Sequence, residues 1–277
     1  EVCVNIVSCR RKWEVKMKVS LINPLTVDNE IIEKHKKKIE SLGHEFEYFE
    51  ESASSDDEII ERLKDTDVAM ITNKKFSADV INNTNLKLID VAFTGVDHVD
   101  LEACKEKGIV VENASGYSDD SVAELVIGLA IGVLRKFPEN NENMFEGKNN
   151  FLLGSLIKDK KVGVVGTGNI GIKTIELLKA FGCEIIAYSR TEKEDVKAMG
   201  VEYVDIDTLM KESDIITLHI PNNKHTKGFI DKEKLDMMKE GAVLINCARG
   251  PIVDNDYLAE ILNQGKIMLN PFMYLLR

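Results

Sequence analysis

Three glycines carry the first chemical signal. Residues 162–171 read Val-Gly-Val-Val-Gly-Thr-Gly-Asn-Ile-Gly, so Gly166, Gly168 and Gly171 match the spacing G-x-G-x-x-G. The pattern alone is weak, because glycines also close ordinary turns. Here it follows an apolar strand, KVGVV, and opens a helix predicted over Ile170 to Phe181. In that place each glycine has a mechanical reason. Gly166 permits a tight turn, Gly168 lets backbone approach a diphosphate, and Gly171 lets helix and strand pack closely. The amides that open the helix, at Asn169 and Ile170, then suit an anion. The turn reads as a dinucleotide site.

The next strand, EIIAYS, should end in the residue that meets the adenosine ribose. An Asp or Glu there accepts from the 2′-hydroxyl and selects NAD, whereas a cation favours the 2′-phosphate of NADP. This chain has Ser189-Arg190-Thr191. No carboxylate repels a phosphate, and Arg190 offers a charge-assisted partner. The expected cofactor is NAD or NADP, with a lean toward NADP. The open alternative is that Arg190 points to solvent and both bind.

Short apolar strands alternate with amphipathic helices along the whole chain, and these elements position the turn. VSLIN precedes a helix in EIIEKHKKKIESLG; EFEYF, DVAMIT, LKLIDVAF and IVVEN follow, each separated by helical sequence. A long helix is predicted over Asp119 to Phe137, stopped by Pro138, with Ser121 and Glu124 at capping-box spacing. It is apolar almost all round, so it should be buried between two bodies, domains or subunits. Glu139 to Asn150 reads as a loop, after which a second α/β series begins. Strands of this kind, separated by helices, imply parallel sheets covered on both faces. The fold class is α/β, with two doubly wound, Rossmann-like domains.

Composition narrows the function classes. In 277 residues, 44% are hydrophobic and 30% charged, ordinary for a globular chain. The 36 Lys+Arg stand against 47 Asp+Glu, a net charge of -11 that repels a phosphate backbone. No nucleic-acid partner is expected. The uncharged apolar run Leu125 to Leu134 is too short to span a bilayer, so no membrane partner is expected either. Five cysteines in no metal or disulfide spacing suggest reduced thiols and a cytoplasmic location.

Several further motifs stand in order around the glycine turn: Thr94-Gly95-Val96-Asp97, Val122-Ala123-Glu124, Leu218-His219-Ile220-Pro221, Thr226, and Leu244-Ile245-Asn246-Cys247-Ala248-Arg249-Gly250. From about Met17 to Lys266 the chain resembles the D-isomer-specific 2-hydroxyacid dehydrogenase family. The resemblance implies a substrate domain over 17–113, a dinucleotide-binding domain over 114–277, and a last segment that returns to the substrate domain. It implies a small 2-oxo or 2-hydroxy acid as substrate and a homodimer built around the helix at 119–137.

By the same resemblance, Arg249 binds the substrate carboxylate and carbonyl. That suits a guanidinium, whose planar fork grips a 2-oxo acid and stabilises charge growing on its oxygen. The N–H groups of Thr94, Gly95 and Val96 would meet the same carboxylate, and Pro221, Cys247 and Ala248 would line the nicotinamide pocket. Lys74 and Lys75 lie in a loop that could meet an anionic substrate, although solvated lysines are the plainer reading. Lactate-like, glyoxylate, hydroxypyruvate and phosphoglycerate chemistry share all these motifs.

The family also needs a His as general acid/base, oriented by a Glu, and both would lie past Arg277. His219 falls in the cofactor-side loop, His98 and His225 in other loops, and Glu260 on a solvated helix face. The catalytic set within these residues is therefore expected to be incomplete, and the substrate domain less stable without its returning segment. The alternative to an enzyme is a dinucleotide-binding sensor, or an inactive remnant without catalysis. Residues 1–16 are expected to be an extension outside the fold, and the apolar tail MLNPFMYLLR suggests a chain that continues.

Overall fold

The computed structural model describes residues 15–269. Residues 1–14 and 270–277 lie outside the described residues, and with them Cys3, Cys9 and most of the expected extension and tail. The chain forms two compact units that divide between Tyr117 and Ser118.

The N-terminal unit holds β1 (Lys18–Leu21), α1 (Asn29–Ser41), β2 (Glu45–Tyr48), α2 (Asp56–Arg62), β3 (Val68–Ile71), α3 (Ala78–Asn82), β4 (Leu88–Val91), α4 (Leu101–Lys107) and β5 (Val110–Asn113). Its five strands are all parallel in the order β2-β1-β3-β4-β5. Alternation along each strand gives the sheet two apolar faces. Ala69, Ile71, Ile89 and Val91 meet Ile59, Leu63, Val80, Ile81 and Cys104 from α2, α3 and α4. Val19, Leu21, Val68, Met70 and Leu88 meet Ile32 and Ile39 of α1. Ser55, Ser77 and Asp100 each accept a backbone N–H at a helix start, which marks where α2, α3 and α4 begin.

The C-terminal unit opens with α5 (Asp119–Leu134) and α6 (Phe137–Phe145). Then come β6 (Lys161–Val165), α7 (Asn169–Phe181), β7 (Glu184–Tyr188), α8 (Glu194–Ala198), β8 (Glu202–Tyr203) and α9 (Ile206–Glu212). The unit ends with β9 (Ile215–Leu218), α10 (Lys232–Met237), β10 (Val243–Asn246), α11 (Asn255–Asn263) and β11 (Met268–Leu269). Six parallel strands run in the order β11-β10-β9-β6-β7-β8. α5 and α7 cover one face through Val126, Ala130, Ile175 and Leu178, against Val162, Val164, Ile185 and Ile245. α9, α10 and α11 cover the other through Leu209, Leu235 and Ile261. Each such fully buried aliphatic side chain contributes about 1.5–3 kcal/mol relative to an exposed one. The expected α/β class with two doubly wound parallel sheets is what the chain forms.

Three local expectations need correction. The long helix ends at Leu134, and Lys136 turns left-handed at φ 56°. Pro138 therefore begins a helix instead of stopping one: it sits in the first turn of α6, where its missing N–H costs nothing. The segment read as a loop from Glu139 is helical to Phe145. The Ser121–Glu124 capping box does not form, because the helix starts earlier, after Ser118, and the Ser121 hydroxyl donates to the Ser118 carbonyl. The polar run Asp119-Asp120-Ser121 is thus inside the helix, where acids suit its N-terminus.

Candidate functional site

In the C-terminal sheet the chain order reverses between β6 and β9, so the crevice at the carboxyl ends of those strands is where a doubly wound fold binds ligands. The glycine turn follows β6. Gly166 is left-handed at φ 101°, and a Cβ there would stand 2.8 Å from the His219 carbonyl oxygen. A Cβ on Gly171 would stand 2.0 Å from the carbonyl oxygen of Gly166. At Gly168 a Cβ would meet nothing within 4 Å, so that position faces open space.

Gly168 is also the N-cap of α7, which has no side-chain cap and no acid in its first turn. By contrast, α9, α10 and α11 are capped by Asp205, Asp231 and Asp254. The amides of Asn169, Ile170 and Gly171 are left at a helix N-terminus without an intrahelical or side-chain acceptor, the arrangement that takes an anion. The turn fits the diphosphate of a dinucleotide.

The loop after β7 carries Ser189, half-buried, and Arg190, exposed. Among the described residues Arg190 makes no ion pair, while Glu192 and Glu194 beside it are taken up by Lys197. On the other side, the loop after β9 begins with His219, whose imidazole Nε2 lies 3.0 Å from Thr217 Oγ1. Burial pushes that imidazole down to about 4. Pro221 is exposed in the same loop, braced by Thr226, whose hydroxyl donates to the Pro221 carbonyl and accepts the Asn223 N–H. His225 is exposed beyond it.

The loop after β10 holds Cys247, Ala248 and Arg249. Asn246 clasps it from both sides: its amide donates to the Arg249 carbonyl at 2.8 Å, and its oxygen accepts the Ala248 N–H at 3.1 Å. Asn255 donates to the Gly250 carbonyl from α11. The Arg249 side chain is exposed and donates to the Ala248 carbonyl. Burial pushes the Cys247 thiol up to about 11, so it is a neutral apolar group at pH 7. At the carboxyl end of the sheet these loops follow the neighbouring strands β10, β9, β6 and β7, so their order is Arg249, Pro221, glycine turn, Arg190.

In the N-terminal unit, Thr94, Gly95 and Val96 follow β4. The Asn113 amide donates to the Thr94 carbonyl at 2.6 Å, and Val99 N–H to the Val96 carbonyl. Phe76 joins this loop by exchanging backbone bonds with His98 and Asp100, which brings the exposed Lys74 and Lys75 next to it. Glu260 is exposed and accepts from Gln264. Among the described residues no group of three metal-ligating side chains occurs, and no helix is long and apolar enough to cross a membrane. Sequence reasoning assigned no role to Asn246, Asn113 or Thr226, whose side chains shape these loops; Asn in a strand-end turn is the one signal that marked the first two.

Residues 127–269 match the family model described as D-isomer specific 2-hydroxyacid dehydrogenase, NAD binding domain. The D-3-phosphoglycerate dehydrogenase of Methanocaldococcus jannaschii is 41% identical over 217 residues, which is 76% of this chain and 41% of that one. The hydroxypyruvate reductase of Thermotoga maritima is 39% identical over 215 residues, 76% of this chain and 70% of that one. This chain therefore spans well under half of the first relative and about two-thirds of the second. Among solved structures, an acyclic imino acid reductase in complex with NADPH and D-Arg superposes with a TM-score of 0.82 at 32% identity, covering 91% of this chain and 80% of that one. A D-lactate dehydrogenase from Aquifex aeolicus, complexed with NAD and lactic acid, gives 0.80 at 29% identity, covering 91% and 76%. With the family model covering more than half its length, the chain belongs to the D-isomer-specific 2-hydroxyacid dehydrogenase family.

Proposed function

We propose that this chain binds NAD(P)H and a small 2-oxo acid in a 2-hydroxyacid dehydrogenase. The observation that carries this reading is the order of loops at the carboxyl end of one sheet. An anion-ready helix start stands between a cation that suits the adenosine end, Arg190, and one that suits a 2-oxo acid, Arg249. A bound nicotinamide would supply or accept the hydride. Arg249 holds the carboxylate and stabilises negative charge on the carbonyl oxygen, with Asn246 fixing its backbone. Pro221, Cys247 and Ala248 offer an apolar surface to the nicotinamide and exclude water from it. In the N-terminal unit, the Thr94-Gly95-Val96 loop is the candidate for a carboxylate held by backbone N–H groups. Ser189 and Arg190, which makes no ion pair among the described residues, favour NADP over NAD. The family's domain division, a substrate domain over 17–113 and a cofactor domain over 114–277, is part of this proposal.

A homodimer through the region 119–137 is supported by α5. Glu124, Leu125 and Gly128 are exposed in the middle of this largely apolar helix, and Leu125 is 46% exposed.

Fluorescence titration with NADH and NADPH tests the reading. Saturable binding is expected, lost in Gly168→Val, with NADPH the tighter; Arg190→Asp should weaken NADPH at least tenfold. Glyoxylate or pyruvate should alter the bound cofactor's signal in the wild type but not in Arg249→Ala. Failure of the wild type to bind either cofactor would overturn it.

A second reading, dinucleotide binding without turnover, is favoured by the imidazoles after β9. His219 is held neutral by burial, and His225 is exposed in a turn rather than placed in the Arg249 loop. Oxidation of NADPH by a 2-oxo acid, catalysed by this chain, would exclude it.

A further inference from the structure

Tyr203 stands on β8, a two-residue edge strand, in a place no motif marks. Its ring is half-buried and packs on the apolar cluster under α7 that includes Val196 and Val201. Its hydroxyl donates to Thr167 Oγ1 at 2.9 Å and accepts the backbone N–H of Lys193 at 3.2 Å. Thr167 is the residue between Gly166 and Gly168, and only 2% of it is exposed. Lys193 closes the loop that carries Ser189 and Arg190. One phenol therefore joins the turn that suits the diphosphate to the loop that suits the adenosine ribose.

We propose that Tyr203 is a positioning residue for dinucleotide binding, its hydroxyl setting the distance between the glycine turn and the Ser189–Arg190 loop. The inference rests on the dinucleotide reading of that turn. The chain of donors runs Lys193 N–H to Tyr203 hydroxyl to Thr167 hydroxyl, and linked bonds of this kind polarise one another. A ligand that spans both segments gains from their being held in register before it arrives, because less ordering remains to be done on binding. A ligand that touches neither the ribose loop nor its 2′ substituent gains nothing from the tie.

Tyr203→Phe removes the hydroxyl and leaves the ring, and Thr167→Val removes its partner with little change of shape. Each variant, and the double variant, is titrated with NADH, NADPH and reduced nicotinamide mononucleotide, which lacks the adenosine half. Melting temperatures are measured alongside. Both dinucleotides are expected to weaken by about 3–10-fold in each single variant, and the double should lose no more than Tyr203→Phe alone, since that change already removes the one bond that Thr167→Val removes. The mononucleotide should bind each variant as it binds the wild type.

Val196→Ala, which opens a cavity in the same cluster, shows what general loosening does. Unchanged dinucleotide affinity in Tyr203→Phe would overturn the proposal. So would fully additive losses, or a loss shared by the mononucleotide and tracking the melting temperature as in Val196→Ala. If the wild type binds no dinucleotide, the reading of the glycine turn falls first and this proposal with it.

Discussion

The carbonyl oxygen of Gly166 occupies the space that a side chain on Gly171 would need, 2.0 Å from an ideal Cβ. The first and third glycines of the turn are therefore one structural unit: the left-handed bend at Gly166 aims its carbonyl at α7, and only a glycine there lets the helix start in place. Gly171→Ala should move the helix start and cost about 2–4 kcal/mol, since the obstacle is backbone and not a flexible side chain. Gly168→Ala meets no atom and should keep the wild-type melting temperature within about 2 °C while weakening dinucleotide binding. Calorimetry with and without NADPH separates the two effects.

Acid should act with opposite sign on the two units. Burial holds the His219 imidazole at about 4 against an ordinary 6.5, so below pH 6.5 the unfolded chain takes up the proton first. The C-terminal unit then loses stability as pH falls from about 6.5 to about 4, by up to roughly 3 kcal/mol. Asp90 runs the other way. Burial, with the Glu112 carboxylate beside it on β5, pushes Asp90 up to about 6 from an ordinary 3.8. Its contribution favours the fold at low pH and is lost as pH rises through about 6, by roughly 2 kcal/mol after allowing for its partial exposure. Asp90→Asn should stabilise the N-terminal unit at pH 7.5, and His219→Gln should flatten the acid limb of the C-terminal unit. Thermal melts of both variants from pH 4 to 8 check the signs.

Asn246 holds the Arg249 backbone in place. Asn246→Ala leaves the Ala248 N–H and the Arg249 carbonyl without that clasp, at a cost of about 1–2 kcal/mol. The 2-oxo acid response should weaken several-fold although Arg249 is still present, while NADPH affinity stays within about twofold. Arg249→Lys should lose the response almost as fully as Arg249→Ala, because an ammonium has no planar fork. Titration of glyoxylate into the NADPH-loaded chain reads both.

The exposed residues of α5 predict the state of assembly. Leu125→Lys places a charge where a second copy would need an apolar contact, and it changes nothing buried in the chain itself. Analytical ultracentrifugation should show a dimer for the wild type and a monomer for Leu125→Lys, with similar secondary structure by circular dichroism. A wild-type monomer at micromolar concentration would remove the dimer from the proposed function.

How much of this was legible before the fold was known varies with the range of the interaction. Strand and helix identity rests on local periodicity, so the two α/β series and the strand–turn–helix setting of Gly166, Gly168 and Gly171 were readable residue by residue. The start of the long helix at Asp119 was readable too, but the break at Lys136 was not. Pro138 reads equally as a stop or as a start, and which one applies depends on a left-handed residue two places before it. The Ser121–Glu124 spacing was a false cap for the same reason: once the helix begins after Ser118, the Ser121 hydroxyl has a nearer acceptor in the Ser118 carbonyl.

The sequence by itself determined the class of fold, the family resemblance and the residue types at the ends of β6, β7, β9 and β10, because each follows from short-range pattern. Only the tertiary structure decided the rest. It put Arg249, Pro221, the glycine turn and Arg190 in that order at the carboxyl end of one sheet, since strand order is a long-range property. Among the described residues it gave Arg190 no ion pair, while Glu192 and Glu194 beside it pair with Lys197. It brought Tyr203, 36 residues from Thr167 along the chain, to within 2.9 Å of that hydroxyl. Contacts like that last one arise from packing an edge strand against β7, and no local pattern encodes them.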